Sequence, residues 1–194
     1  MKRISDFALA TVAVLFLMPL FVAVGMLILL ADGRPIIYRR RVIGRDGEFD
    51  AFKFRTMRKD SAEWLENRPS VKAEFERDFK LRADPRVTKI GHFLRRTSID
   101  ELPQLFNVIR GEMSLVGPRM ITRAELIKYK GFEEKLMTVK PGITGLWQVS
   151  GRQNVGYEIR VKADMEYIDK QSLWLDFKIL MITPFKVLKR EGAF

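Results

Sequence analysis

The sequence contains no cysteine and a single histidine, His92. Without cysteine there is no disulfide framework and no thiolate metal site, which fits a reducing compartment. A lone histidine lacks partners for a histidine metal site or a triad and reads as an ordinary polar side chain. Internal repeats and low-complexity segments are absent as well. Acids are the minority: 24 Asp and Glu stand against 35 Lys and Arg, a net charge of +11. That balance points to a polyanionic partner, whether nucleic acid, an anionic membrane surface or a phosphorylated substrate. The 194 residues suit one domain, and at 47% hydrophobic content a sizeable core is attainable.

Charge is missing from one long stretch. From Phe7 to Ala31 the chain reads FALATVAVLFLMPLFVAVGMLILLA. As a helix this would be about 37 Å long, against about 30 Å for a bilayer core. It exceeds a signal-peptide core, and no small-residue cleavage site follows it. A single membrane-spanning anchor is the simple reading, and two features oppose it. Lys2 and Arg3 precede the stretch while Arg34, Arg39, Arg40 and Arg41 follow it, so both ends ask to be cytoplasmic. Pro19, in mid-segment, cannot donate to the Leu15 carbonyl and its ring clashes there, which predicts a kink. A kinked helix that enters and leaves by the same leaflet meets both features. The freed carbonyl then needs a partner, and Thr11 is a candidate.

Residues 32–60 are strongly basic and hold apolar stretches around Ile36–Tyr38 and Phe49–Phe54, separated by GRDG. This predicts a hairpin or two short strands. Its arginines suit a surface over anionic lipid heads, at about 1 kcal/mol per well-placed charge. Residues 61–81 predict helix interrupted at Pro69, and ADPR at 83–86 predicts a turn. A helix is expected over 122–137. The glycine-rich 139–152 segment would let backbone N–H groups approach a phosphate, although such dipeptides equally mark ordinary turns. Residues 172–190 are apolar with spaced basic residues, which suits an interfacial helix or a core helix. Asp176 is the one acid there and reads as a helix N-terminal acid.

The stretch 97-TSIDELPQL-105 sets Asp100 and Glu101 side by side. Ser98 and Glu101 have the spacing of a capping box, so two acids that start a helix are one reading. Phosphoryl chemistry is another. A carboxylate can attack phosphorus, Mg²⁺ binds through one or two carboxylates plus substrate phosphates, and lysine and arginine neutralise the remaining oxygens. With a membrane segment present, phosphoryl transfer onto a lipid is consistent with the parts. A basic membrane anchor without chemistry and a membrane-tethered nucleic-acid binder are the rivals, although no nucleic-acid-binding signature can be placed.

Longer motifs carry a resemblance. KFRTM at 53–57, DPRVTKIGHFLRRTSIDELPQLFNVIRGEMSLVGPR at 84–119, KPGITGLWQVSGR at 140–152 and SLWLDFKIL at 172–180 resemble the bacterial sugar transferases, the monotopic phosphoglycosyl transferases, over nearly the whole chain. Larger members carry further membrane helices before this core. The resemblance implies an α/β fold, mostly α. Residues 1–33 would form a re-entrant membrane helix, and residues 34–194 a compact cytoplasmic catalytic domain with interfacial amphipathic helices. It also implies the reaction: a sugar-1-phosphate moves from a UDP-sugar to polyprenyl phosphate on the cytoplasmic face of the bacterial inner membrane, among its lipids. Nucleic acid is no partner in that reading, and a homodimer is compatible with it. Asp100 matches the nucleophile, and Glu101 matches its partner, which helps to hold Mg²⁺. Lys53, Arg95 and Arg119 match basic positions around the phosphates. Arg152 and Asp176 match further active-site positions. The closing GAF leans towards relatives that use UDP-glucose or UDP-galactose, with N-acetylated sugars as the alternative. There are departures: Met18 stands where relatives often have serine before the proline, and Met120 where they often have a second proline after Arg119.

Overall fold

The computed structural model describes residues 1–78, 81, 84–150 and 156–188. The apolar run forms one helix, α1 (Lys2–Asp32), with Pro19 inside it. Asp6, Ala10, Val14, Val24, Gly25 and Ile28 are its buried residues, and Leu17, Leu20 and Phe21 are partly buried between them. These positions recur every three or four residues, which makes a single stripe along the whole helix. The opposite face exposes Phe7, Val12, Leu15, Phe16, Val22 and Leu30. Thr11 does not serve the Leu15 carbonyl; its hydroxyl donates to Phe7 O one turn earlier, at 2.8 Å.

The hairpin read from GRDG is present. Strands β1 (Ile37–Gly44) and β2 (Gly47–Phe54) pair antiparallel, with Ile37 opposite Phe54 and Gly44 opposite Gly47. Gly47 closes the two-residue turn at φ 115, a value that a side chain would strain. The helix expected from 61 breaks as foreseen at Pro69, into α2 (Ser61–Glu66) and α3 (Pro69–Asp78). Helix α4 (Lys89–Arg96) is capped by Thr88, whose hydroxyl accepts from Gly91 N at 3.0 Å.

Two expectations are corrected. No capping box forms at Ser98, which sits at φ 57 without a side-chain cap. Residues Ile99–Glu101 make one 3₁₀ turn, and α5 (Gln104–Arg110) begins only after Pro103. Glu101 does not turn back to cap because Lys53, far away in sequence, claims its carboxylate. The helix expected over 122–137 is a 3₁₀ segment, Ala124–Tyr129, and a single turn, α6 (Glu133–Leu136). Gly131, at φ 84, separates them. Glu125 Oε2 accepts from Thr122 N at 2.8 Å and from its hydroxyl at 3.0 Å, which tightens the first turn.

Strand β3 (Ser114–Val116) pairs parallel with β4 (Gly142–Thr144). Then come α7 (Leu146–Ser150), α8 (Tyr157–Asp169) and α9 (Leu173–Leu188). The main core joins Ala10 and Val14 of α1 to Val42, Phe49 and Ala51 of the hairpin. It continues through Leu105 and Val108 of α5 to Tyr167 of α8 and Ile179 of α9. Helix α9 packs into the core along one face and leaves an apolar face exposed. It buries Asp176 and Ile179 and exposes Trp174, Phe177, Met181 and Phe185.

Candidate active site

The hairpin, α4, the turn before α5 and the segment after β3 bring five of the sequence candidates together. Asp100 is 7% exposed, in the first turn after left-handed Ser98. Glu101 beside it accepts from Lys53 Nζ of β2 at 2.6 Å through Oε1. The side chains of Lys53 and Glu101 remain 15% and 26% exposed, so a ligand can reach them. Arg95, at the end of α4, donates from Nε to Thr56 Oγ1 at 2.9 Å and lies within electrostatic reach of Asp100. Gly91 permits this arrangement, because a Cβ there would run into the Thr56 carbonyl oxygen. Arg119 follows β3 and bridges to Gly142; its guanidinium carbon lies 5.2 Å from the Trp147 ring centroid.

The two neighbouring carboxyls are pushed apart. Burial raises Asp100 to about 6, against the pull of Lys53, and the negative charge of Glu101 adds to the rise. Burial would raise Glu101 too, but Lys53, Arg119 and Arg40 outweigh it and hold Glu101 at about 2. One carboxyl is thus ionised under all ordinary conditions, and its neighbour becomes a carboxylate near neutrality. This division suits one acid that binds cations and one that attacks.

Asn107 ties α5 to β2 beside the pair. It is fully buried. Its Oδ1 accepts from Phe52 N at 2.9 Å, and its Nδ2 donates to Asp50 O at 2.8 Å and to Glu112 Oε2 at 2.6 Å. This joins α5, just after Glu101, to the β2 residue beside Lys53.

Asp176 is placed elsewhere. It accepts from Lys2 Nζ at 2.5 Å and from the Tyr167 hydroxyl at 2.7 Å. Arg152 lies outside the described residues. Sequence reasoning missed Arg40, Glu125, Trp147, Tyr157, Arg160 and Asp164, which form a charged and aromatic wall beyond Arg119. Arg40 pairs with Glu125 at 2.7 Å, and the Arg160 guanidinium carbon lies 5.2 Å from the Trp147 centroid and 4.4 Å from that of Tyr157. Trp147 was visible in the quoted GLWQ motif; nothing in YEIRVKADMEYID sets Arg160 apart from a solvated helix face.

A family sequence model described as bacterial sugar transferase matches residues 1–190. The chain belongs to the bacterial sugar transferase family. It is 49% identical to a UDP-galactose-lipid carrier transferase of Erwinia amylovora, over 100% of this chain and 42% of that protein. It is 45% identical to an undecaprenyl-phosphate galactose phosphotransferase of Salmonella typhimurium, over 100% of this chain and 42% of that protein. It is 42% identical to the exopolysaccharide production protein ExoY of Rhizobium meliloti, over 100% of this chain and 88% of that protein. The chain thus spans 42% of the length of the first two of these relatives.

Proposed function

We propose that the chain transfers a sugar-1-phosphate from a UDP-sugar to polyprenyl phosphate, which starts the building of a surface polysaccharide. The observation that carries this reading is the Asp100–Glu101 pair, with its two carboxyls held in different states amid Lys53, Arg95 and Arg119. An Asp100 oxygen attacks the sugar-bearing phosphorus, the bond from that phosphorus to the bridging oxygen breaks, and UMP leaves. An oxygen of polyprenyl phosphate then attacks the same phosphorus and releases the Asp100 carboxylate. Lys53, Arg95 and Arg119 reduce the repulsion between carboxylate and diphosphate at both steps.

The residues present fit Mg²⁺. Glu101 would hold it, since only Oε1 is engaged, by Lys53, among the described residues. When bound, Mg²⁺ neutralises charge on the diphosphate.

UDP-galactose is the favoured donor and UDP-glucose the next. Relatives named for galactose reach 49% and 45% identity, and one named a UDP-glucose:undecaprenyl-phosphate glucose-1-phosphate transferase, from Escherichia coli, is 38% identical. The test is UMP release by nanodisc-held protein with Mg²⁺, polyprenyl phosphate and a panel of UDP-sugars including N-acetylated ones. Release with one sugar, lost in Asp100→Asn, is expected. Release at the wild-type rate by Asp100→Asn would remove Asp100 from the nucleophile role, and no release with any donor from folded protein would sink the reaction.

The same reading puts α1 in one leaflet of the inner membrane, with the remainder on the cytoplasmic face. What supports it is that both ends of α1 hold the same globular body. At one end Lys2 binds Asp176 and Val116 O, Arg3 binds Val108 O and Ile109 O, and Asp6 accepts from Ser114. At the other, Arg55 Nη2 donates to Asp32 O and Gly33 O, each at 2.8 Å. A helix running straight across the bilayer, with about 46 Å between its ends, would leave one of these sets on the far side. A Ser5→Cys variant has no other cysteine to compete for a thiol reagent. It should resist a membrane-impermeant reagent added from the periplasmic side; labelling from that side would overturn the topology.

A further inference from the structure

We infer that Arg160 is a second donor-binding arginine, which with Arg119 holds the diphosphate of the UDP-sugar. This rests on the transfer reaction proposed above.

Arg119 and Arg160 approach one indole, each with its guanidinium carbon 5.2 Å from the Trp147 centroid. Two cations drawn to one ring repel one another: after burial, the charge of Arg160 is the largest influence holding the Arg119 guanidinium below its ordinary value. Other arginines of this basic protein sit against acids. Arg86 lies 2.7 Å from Asp84, and Arg40 lies 2.7 Å from Glu125. Among the described residues neither Arg119 nor Arg160 makes such a pair. The one side-chain hydrogen bond of Arg160 among the described residues is a 3.3 Å contact from Nη2 to the Tyr157 hydroxyl, and its Nε is buried without a partner. Asp164, whose charge acts on Arg160, accepts from the Tyr129 hydroxyl through Oδ2 at 2.6 Å, and its Oδ1 makes no hydrogen bond to Arg160. Trp147 points to the same need, because it is 5% exposed and its indole N–H is buried with no acceptor. A buried Trp N–H ordinarily finds a partner. An indole N–H and an Arg160 Nε that lack acceptors, with a second guanidinium at the same ring, describe a place for an anion rich in oxygen.

Arg119 and Arg160 converge on the Trp147 ring, so the two cations face one region of the diphosphate. When the Asp100 oxygen bonds to the sugar-bearing phosphorus, the bridging oxygen leaves with its electron pair as part of UMP. That phosphate gains negative charge in the transition state, and the two arginines are fixed cations in place to meet it, with no proton moved.

Affinities for uridine, UMP and UDP, measured by calorimetry on the full chain in nanodiscs, test the assignment. In the wild type UMP should bind more tightly than uridine. Arg160→Gln should remove that advantage, about tenfold or more for a charged hydrogen bond lost, and Arg160→Lys should recover part of it. Arg119→Gln should lower the same advantage. Melting temperature is read alongside. An Arg160→Gln protein that keeps the wild-type ratio of UMP to uridine affinity, with or without a lower Tm, would make Arg160 a structural brace and overturn the inference. If the wild type bound neither UDP nor UMP, the transfer reading would fall with it, which separates the two failures.

Discussion

Lys53 and Glu101 stand 48 residues apart and meet at 2.6 Å, one from a strand and one from a 3₁₀ turn. The contact keeps Glu101 ionised and brings the lysine beside Asp100. Lys53→Met keeps the length of the side chain and removes the charge. Its kcat/KM for UMP release is expected to fall by about 10²–10³-fold. The stability loss should be modest, roughly 1 kcal/mol, because the pair is partly exposed. Steady-state rates and a thermal melt separate these effects. Wild-type kcat/KM in Lys53→Met would leave the lysine with a structural role alone.

Activity and stability should respond to pH in opposite senses. Asp100 must be ionised to attack, and its carboxyl is raised to about 6, so UMP release should climb with pH up to about 6 and level off above. In stability, the folded state holds this proton more tightly than the unfolded chain does, whose ordinary value is 3.8. Stability from this group therefore falls as pH rises from about 4 to about 6 and stays lower beyond. Asp100→Asn should be more stable than the wild type near about pH 7.5, by roughly 1–2 kcal/mol, and should lose that gain below about pH 4. Glu101, held low, has the opposite sign: Glu101→Gln should be destabilised at neutrality and converge on the wild type as pH falls towards 2. Burial raises Asp164 to about 6 as well, so the activity rise assigned to Asp100 must persist in Asp164→Asn. A lower Tm for Asp100→Asn at neutral pH would contradict this account.

Gly91 offers a test in which helix propensity predicts the wrong sign. Alanine in a helix interior is ordinarily better than glycine by about 1 kcal/mol. Here the added Cβ would run into the Thr56 carbonyl, which also accepts from Thr88 N at 3.0 Å. Gly91→Ala should push α4 off the strand end and destabilise by about 1–3 kcal/mol. It should also lower activity, since Arg95 bonds the Thr56 hydroxyl across the same contact. A Tm equal to or above that of the wild type would mean that α4 can shift without loss.

What the sequence made legible was local. The GRDG turn, the proline between α2 and α3 and the uncharged run of α1 each declare themselves within about ten to thirty residues. The dyad could be singled out because adjacent acids are unusual in so basic a chain, and the family motifs named its partners. The failures were long-range. Ser98 and Glu101 have capping-box spacing, but a lysine on a distant strand outcompetes a local cap. Residues 122–137 have helical composition, but Gly131 and the pull of Arg40 on Glu125 hold the segment in shorter turns. Arg160 looks like any solvated helix charge until Trp147, from another helix, is brought against it.

Asn107 combines these themes, since one buried amide ties α5 to β2 beside the pair. Asn107→Ala strands the Phe52 N–H and the Asp50 carbonyl, at about 1–3 kcal/mol for each buried group left unpaired. A total near about 3 kcal/mol is expected, with kcat falling as β2 loosens. Asn107→Asp is the sharper variant. It could still accept from Phe52 N, but it would face the Glu112 carboxylate now 2.6 Å from Nδ2 and offer the Asp50 carbonyl no donor. Its destabilisation should match or exceed that of alanine at neutral pH. It should ease as pH falls and one of the two carboxyls takes a proton, which can then serve as the missing donor. Melts of both variants between about pH 5 and about pH 8 distinguish the cases. An Asn107→Asp protein whose deficit does not change with pH would show that the amide acts by filling space and not by its hydrogen bonds.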